Sequence, residues 1–334
     1  MDKNKSKKIL GTGLVAAGIT AAGAVSHAIT KGLVSVAVDR DIPHNDPAQN
    51  EPSGKLQQKA AAKFKGSDDD MQFRQVVESA AEKLAEKPHE LVEITADDGQ
   101  IMKGHWFPVE NANRIIIAMH GWRSSWSNDF GLISSFFKEN RCSVLYPEQR
   151  GQGASGGEYM GLGILERYDC RKWIDWVNEH CVHAMPIYLA GVSMGATTVL
   201  MTCGFELPKN VSGIIADCGF TSPHEISRHI VENNLHMSFG IRGQIADALC
   251  RKKNQLGTKA YSAIDAMKEN KIPVLFIHGA DDTFVPVTMT YDNYKACAAP
   301  KELLIIPGAE HAMSYYVDRE KYEEKVKAFW RRYD

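Results

Sequence analysis

Six short runs constrain this chain more than any other feature: "RIIIAMH" from Arg114, "SVLYP" from Ser143, "PIYLAG" from Pro186, "VSGIIAD" from Val211, "PVLFIHG" from Pro273 and "ELLIIPG" from Glu302. They are apolar almost throughout rather than alternating, as in strands covered by helices on both faces. Between two of them, from Ile164 to Glu179, the residues Leu165, Tyr168, Trp173, Trp176 and Val177 mark the inner face of a helix. Upstream, "ELVEITADDGQIMKGHWF" reads as two alternating strands around a turn at Asp98-Gly99. The order predicts an α/β fold: an open, mostly parallel, doubly wound sheet with active groups at the carboxyl ends of its strands.

One interval breaks the alternation. More than fifty residues between Asp217 and Pro273 carry no strand, while "HEISRHIVENNL" and "GIRGQIADALCRKK" carry helical patterns. A small helical cap, about residues 221–270, is therefore inserted between strands six and seven. "HEISRH" is one residue too long for a zinc-binding helix motif. Positions five apart lie about 140° apart on a helix, so His224 and His229 do not share a face.

The stretch "PIYLAGVSMGATTVL" places Ser193 at a strand-to-helix turn between Gly191 and Gly195. This is the G-x-S-x-G pattern that raises a serine hydroxyl above a sheet, the glycines permitting a turn too tight for a Cβ. A serine hydroxyl needs a base. His311, in "PGAEHAMS" after the last strand, is the candidate. The base needs an orienting acid. Asp282, in "HGADD", suits the chain order serine, aspartate, histidine, with Asp281 and Asp217 as competitors. Two backbone N–H groups are needed to hold an oxyanion. Met194, after the nucleophile, and Trp122, in the loop after the "RIIIAMH" strand, are the candidates. Substrate-binding candidates are Trp122 and Phe220 at the pocket floor and Met237 and Phe239 in the cap. Ile226, Ile230 and Leu235 are the other apolar cap residues that either face the pocket or fill the cap's own core.

From about residue 88 onward the chain resembles the α/β-hydrolase superfamily, on "HGW", "RGQGASGG", "GVSMG", "HGADDTFVP" and "GAEHAM", taken in that order. Within it, "IADCGFTSP" is similar to membrane-anchored bacterial hydrolases of the cinnamoyl-esterase and BEM46-like type. The family has Asp where Glu148 stands, in a loop read as structural. The resemblance implies acyl transfer from a small-molecule ester to water through Ser193, with no metal or organic cofactor. A peptidase of aminopeptidase type is the alternative and would need a site for a substrate amine, for which Glu225 and Glu232 are candidates. A non-catalytic binding protein of the same fold is the third reading.

The remaining sequence sets the surroundings. A net charge of −2 over 334 residues gives no case for nucleic acid, and the chain is expected to act as a monomer. Lys3, Lys5, Lys7 and Lys8, in a basic stub 1–8, precede an uncharged segment, 9–30. That length can span a bilayer, with the lysines cytoplasmic and the catalytic domain outside. Cleavage near Ser26-His27-Ala28 would instead make it a signal peptide and the protein secreted. Residues 31–87 read as a linker with a leading helix in which Phe73, Val76, Val77, Ala80 and Leu84 recur at helical spacing, and 88–334 as the hydrolase domain. Seven cysteines in scattered, unpaired spacing do not indicate a disulfide framework.

Overall fold

The computed structural model describes residues 25–40, 68–181 and 185–334. Eight strands form one sheet: Glu90–Thr95 (β1), Ile101–Phe107 (β2), Arg114–Met119 (β3), Cys142–Pro147 (β4), Ile187–Val192 (β5), Val211–Asp217 (β6), Val274–Gly279 (β7) and Lys301–Ile306 (β8). Their spatial order is β1-β2-β4-β3-β5-β6-β7-β8. Only β2 runs against its neighbours β1 and β4, and every pairing from β4 to β8 is parallel. The expected mostly parallel sheet is the one observed.

The two-residue period of a strand explains why the runs had to be apolar throughout. In β3, Ile115, Ile117 and Met119 enter one core while Ile116 and Ala118 enter the other. In β5, Ile187 and Leu189 go to the first face and Tyr188 and Ala190 to the second. Helices Glu166–His180 and Met194–Thr202 cover the first face, through Trp173, Ile174, Val177, Val199 and Leu200. Helix Arg319–Tyr333 covers the second through Tyr322, Val326, Phe329 and Trp330. The leading helix, Asp68–Ala85, buries Ala81 and Leu84 and leaves Val76 on the outside. It passes so close to the helix Trp126–Phe130 that a Cβ on Gly131 would stand 2.7 Å from the Ala80 carbonyl carbon.

The insertion between β6 and β7 comprises the helix Pro223–His229, a π-helical turn Ile230–Asn234, and the helices Gly240–Asn254 and Ala263–Glu269. Ser222 caps the first, its hydroxyl accepting from Glu225 N at 3.1 Å. The last differs from expectation. Ala263, Ala266 and Met267 belong to the core beneath the sheet, so this helix returns the chain to the main layer rather than roofing the site.

Residues 31–40 were expected within a linker. They end a helix, 25–38, that is seated on the domain. Val34 and Val38 are buried against Ala246 and Cys250 of the cap helix Gly240–Asn254. Asp39 pairs with Lys253 at 2.7 Å, and the Arg40 guanidinium donates to the carbonyls of Gly153 (2.6 Å), Gly157 (3.1 Å) and Ser155. Charge-assisted and apolar contacts of this kind fix the segment to the domain, as a free linker would not be fixed. No helix among the described residues is long and apolar enough to cross a membrane, and residues 9–24 of the expected anchor lie outside them.

Candidate active site

Ser193 follows β5 with φ 54° and ψ −115°, a left-handed backbone that a residue with a Cβ adopts only under strain. Its backbone N–H is held by Asp217 O at 2.8 Å, at the end of the adjacent strand. The two glycines are sterically obligatory. A Cβ on Gly195 would lie 1.8 Å from Met119 O, and one on Gly191 would lie 2.3 Å from the Gly195 carbonyl carbon.

His311 lies on the loop after β8, where its Nε2 is 2.9 Å from Ser193 Oγ and its Nδ1 is 2.6 Å from Asp282 Oδ2. The three residues anticipated from separate motifs are thus brought together in hydrogen-bonding order. The Asp282 side chain is fully buried. Its Oδ1 accepts the backbone N–H groups of Phe284 (2.9 Å) and Val285 (2.8 Å), and its Oδ2 is also met by His278 Nε2 at 3.0 Å. Burial alone would raise the carboxyl pKa. Hydrogen bonds from His278 and His311 outweigh it and hold Asp282 well below its ordinary value, ionised and acceptor-only.

Neither competitor takes that place. Asp281 is exposed. Asp217 is buried and turns to other partners, accepting from Ser314 Oγ at 3.1 Å and from Tyr322. Burial pushes its pKa up to about 6, against the opposing pull of His278 and these hydrogen bonds.

The loop after β3 is braced from below. Buried His120 donates Nδ1–H to Gly121 O (2.9 Å) and accepts Gln149 N–H at Nε2 (3.0 Å), and burial lowers its pKa, which keeps it neutral. Gln149 Oε1 in turn accepts from Thr198 Oγ1 at 3.1 Å, linking this loop to the helix that Met194 opens. At a helix start the first N–H groups have no intrahelical acceptor. Met194 N–H is therefore of the kind an oxyanion can take. Glu148, the departure from the family pattern, meets His105 Nε2 at 2.7 Å and accepts from Ala154 N–H, a structural role.

Met194, next to Ser193 in the chain, joins Phe220, Ile226, Val285 and Met289 in a buried apolar cluster packed against Trp122, Leu162, Ile230 and Phe284, and the Phe284 ring lies 5.0 Å from that of His311. Phe220, suggested by the sequence for the pocket floor, belongs to this cluster, and Trp122 packs against it. Met237 and Phe239 are not part of the cluster. Phe239 lies inside the cap, its ring 5.1 Å from His224 and against Gly243. Met237 is half-buried at the cap turn, its N–H bonded to Val231 O. Leu235 is also outside the cluster. The Trp122 indole donates to Ala37 O at 2.8 Å, tying the seated N-terminal helix to the loop after β3. Gln149 and Ser314 carry no motif, and His278 opens "HGADDTFVP" without having been given a role. The one signal was a histidine inside an otherwise apolar strand, "VLFIHG", where a buried polar ring must have partners.

Fold and site together define a serine hydrolase of the α/β-hydrolase fold. The prolyl oligopeptidase family matches residues 128–333, and the chain belongs to that family. YqkD of Bacillus subtilis (strain 168) is 30% identical over 232 residues, covering 69% of this chain and 75% of that protein. Among solved structures, the Pyrococcus furiosus esterase Pf2001 superposes with a TM-score of 0.62 at 21% identity, over 75% of this chain and 93% of that one. Est1E from Butyrivibrio proteoclasticus gives 0.54 at 17% identity, over 72% and 97%. These likenesses are of fold.

Proposed function

We propose that the protein hydrolyses carboxylic esters of small molecules through an acyl-enzyme on Ser193. The observation that carries this is the unbroken chain Ser193 Oγ, His311 Nε2, His311 Nδ1, Asp282 Oδ2, with contacts of 2.9 and 2.6 Å. His311 takes the serine proton as Oγ attacks the carbonyl carbon. Buried, ionised Asp282 fixes the Nδ1–H tautomer and stabilises the imidazolium. The Met194 and Trp122 backbone N–H groups receive the oxyanion. Collapse expels the alcohol, which takes its proton from His311. Water then attacks the acyl-enzyme by the same route. The apolar cluster supports an ester with an apolar or aromatic acyl group. A solved structure of Est1E holds ferulic acid, which makes hydroxycinnamoyl esters a reasonable first probe.

A second reading is favoured by the family itself: cleavage of peptides. Glu225 and Glu232 line one open groove of about 800 Å³ between the cap and the helix Val287–Ala296. Glu225 is already paired with Arg228, which weakens it as an amine site. Hydrolysis of p-nitrophenyl and feruloyl esters against aminoacyl and prolyl anilides separates the readings. Mapping a fluorophosphonate adduct by mass spectrometry tests the nucleophile. Faster anilide than ester turnover would replace the ester reading with the peptidase one. An adduct on another serine, with Ser193 unmodified, would end both. The basic stub and uncharged segment 9–30 support an N-terminal membrane tether, which carbonate extraction of membranes tests.

A further inference from the structure

Cys218 directly follows β6, with φ 49° and no exposed surface. Its sulfur lies beneath the site: one ligand atom each from Cys218, Asp282 and His311 fall within 4.8 Å of one another. The backbone amides of Ala312 and Ser193 also reach the sulfur. The hydrolytic mechanism has no use for this thiol.

We propose that Cys218, Asp282 and His311 form a site for a thiophilic divalent cation of the Zn²⁺ class, and that its occupancy arrests hydrolysis. The donor set selects the ion. One thiolate, one imidazole and one carboxylate suit zinc, whereas magnesium and calcium require more oxygen ligands than are here. A thiolate and a carboxylate also neutralise a divalent charge in a buried place. Bonds of about 2.3 Å to sulfur and about 2.0 Å to nitrogen and oxygen require the three donors to stand roughly 3–4 Å apart. Small side-chain movements bring them there from their present spacing.

The chemistry of arrest follows from the imidazole. His311 Nδ1 is the nitrogen nearest Asp282, so it is the one that binds. Its proton moves to Nε2, and the Cys218 proton leaves to solvent. No electrons are transferred. Nε2–H can only donate, so it can no longer accept the proton of Ser193. This second half of the proposal rests on His311 being the base. Asp282 and Cys218 are sealed from solvent while the His311 side chain is 23% exposed, so the ion must enter as the imidazole swings, and arrest is slow in onset.

Co²⁺ is the spectroscopic probe and Zn²⁺ the inhibitor, added to the metal-free full chain. One equivalent of Co²⁺ should produce a near-ultraviolet thiolate-to-cobalt absorption band. The band should persist in Ser193→Ala and in Cys181→Ser, which removes the one cysteine that is not buried, and vanish in Cys218→Ser. Zn²⁺ should displace Co²⁺, and inhibition should develop at the rate of Zn²⁺ binding and reverse with EDTA. Should Cys218→Ser not fold, His311→Ala must lower Co²⁺ affinity by at least about tenfold, the least that even outer-shell changes cost. Cobalt bound without the band, or a band surviving in Cys218→Ser, overturns the site. A normal band with hydrolysis indifferent to Zn²⁺ overturns the arrest. Absence of hydrolysis in the metal-free protein, with the band present, overturns the acyl-transfer reading and leaves the site standing.

Discussion

His278 and His311 converge on a single oxygen, Oδ2 of Asp282, at 3.0 and 2.6 Å. His278 is fully buried, with Nδ1 2.7 Å from Thr290 Oγ1, so its Nε2–H is committed to Asp282 and the nearby Val285 carbonyl. The carboxylate is aimed before any substrate arrives. Asp282→Asn should therefore lower kcat by about 10⁴, the cost of a wrong tautomer in a serine triad. Asp217→Asn should retain most activity. Steady-state ester hydrolysis on variants with native circular dichroism checks this, and the reverse ranking would transfer the orienting role to Asp217.

Asp217 instead leaves its mark on stability. Its folded pKa of about 6 lies above the ordinary 3.8, so the folded chain holds the proton more tightly than the unfolded one. Stability from this group is present below about pH 4 and is lost as pH rises through about 6. A shift of about two units corresponds to roughly 3 kcal/mol. Urea unfolding of the wild type and Asp217→Asn at pH 4 and pH 7 should show the wild type losing about that much more between the two. Asp282 is common to both proteins and cancels. Parallel pH profiles would mean that Asp217 is not held protonated by burial.

How far the sequence carried differs by residue. Ser193, His311 and Asp282 were legible because each follows the carboxyl end of a strand by a few residues at most, where period and loop composition can be read directly. The sheet was legible because every strand from β3 to β7 is buried on both faces. Phe239 was not, because an apolar residue in a helical insertion has the same pattern whether it faces a ligand or its own core. The docking of residues 31–40 was hidden for another reason: backbone carbonyls of Val36, Ala37 and Asp39 take the bonds from Trp122 and Arg123, and carbonyls leave no trace in side-chain pattern.

Gly195 is the position least able to change. Its substitution by Ala sets a methyl carbon 1.8 Å from the Met119 carbonyl oxygen, a backbone atom that cannot step aside without moving β3. The expected cost exceeds about 4 kcal/mol, a fall in Tm of about 10 °C or more. Thermal unfolding monitored by circular dichroism measures it. A Tm within a few degrees of wild type would show that the turn relaxes.

Acyl preference should be read by Ile226 and Met289, which join Phe220 and Met194 in the apolar cluster, rather than by Met237 or Phe239. Ile226→Ala and Met289→Ala should change the ratio of kcat/KM between long and short acyl esters. Each methylene in an apolar pocket is worth roughly 1–3 kcal/mol, or about 10- to 200-fold. Met237→Ala should leave the ratio within about twofold, well below one methylene's worth. A larger shift at Met237 than at Ile226 would move the acyl group onto the cap turn.

The seating of helix 25–38 has a practical consequence for anyone cutting the chain. A boundary drawn where the motifs begin, near residue 88, discards the acceptor for the Trp122 indole and uncovers Ala246 and Cys250. The shortened protein would present a bare apolar patch on its cap helix. Aggregation or altered selectivity in such a fragment would then be a property of the scissors, not of the enzyme.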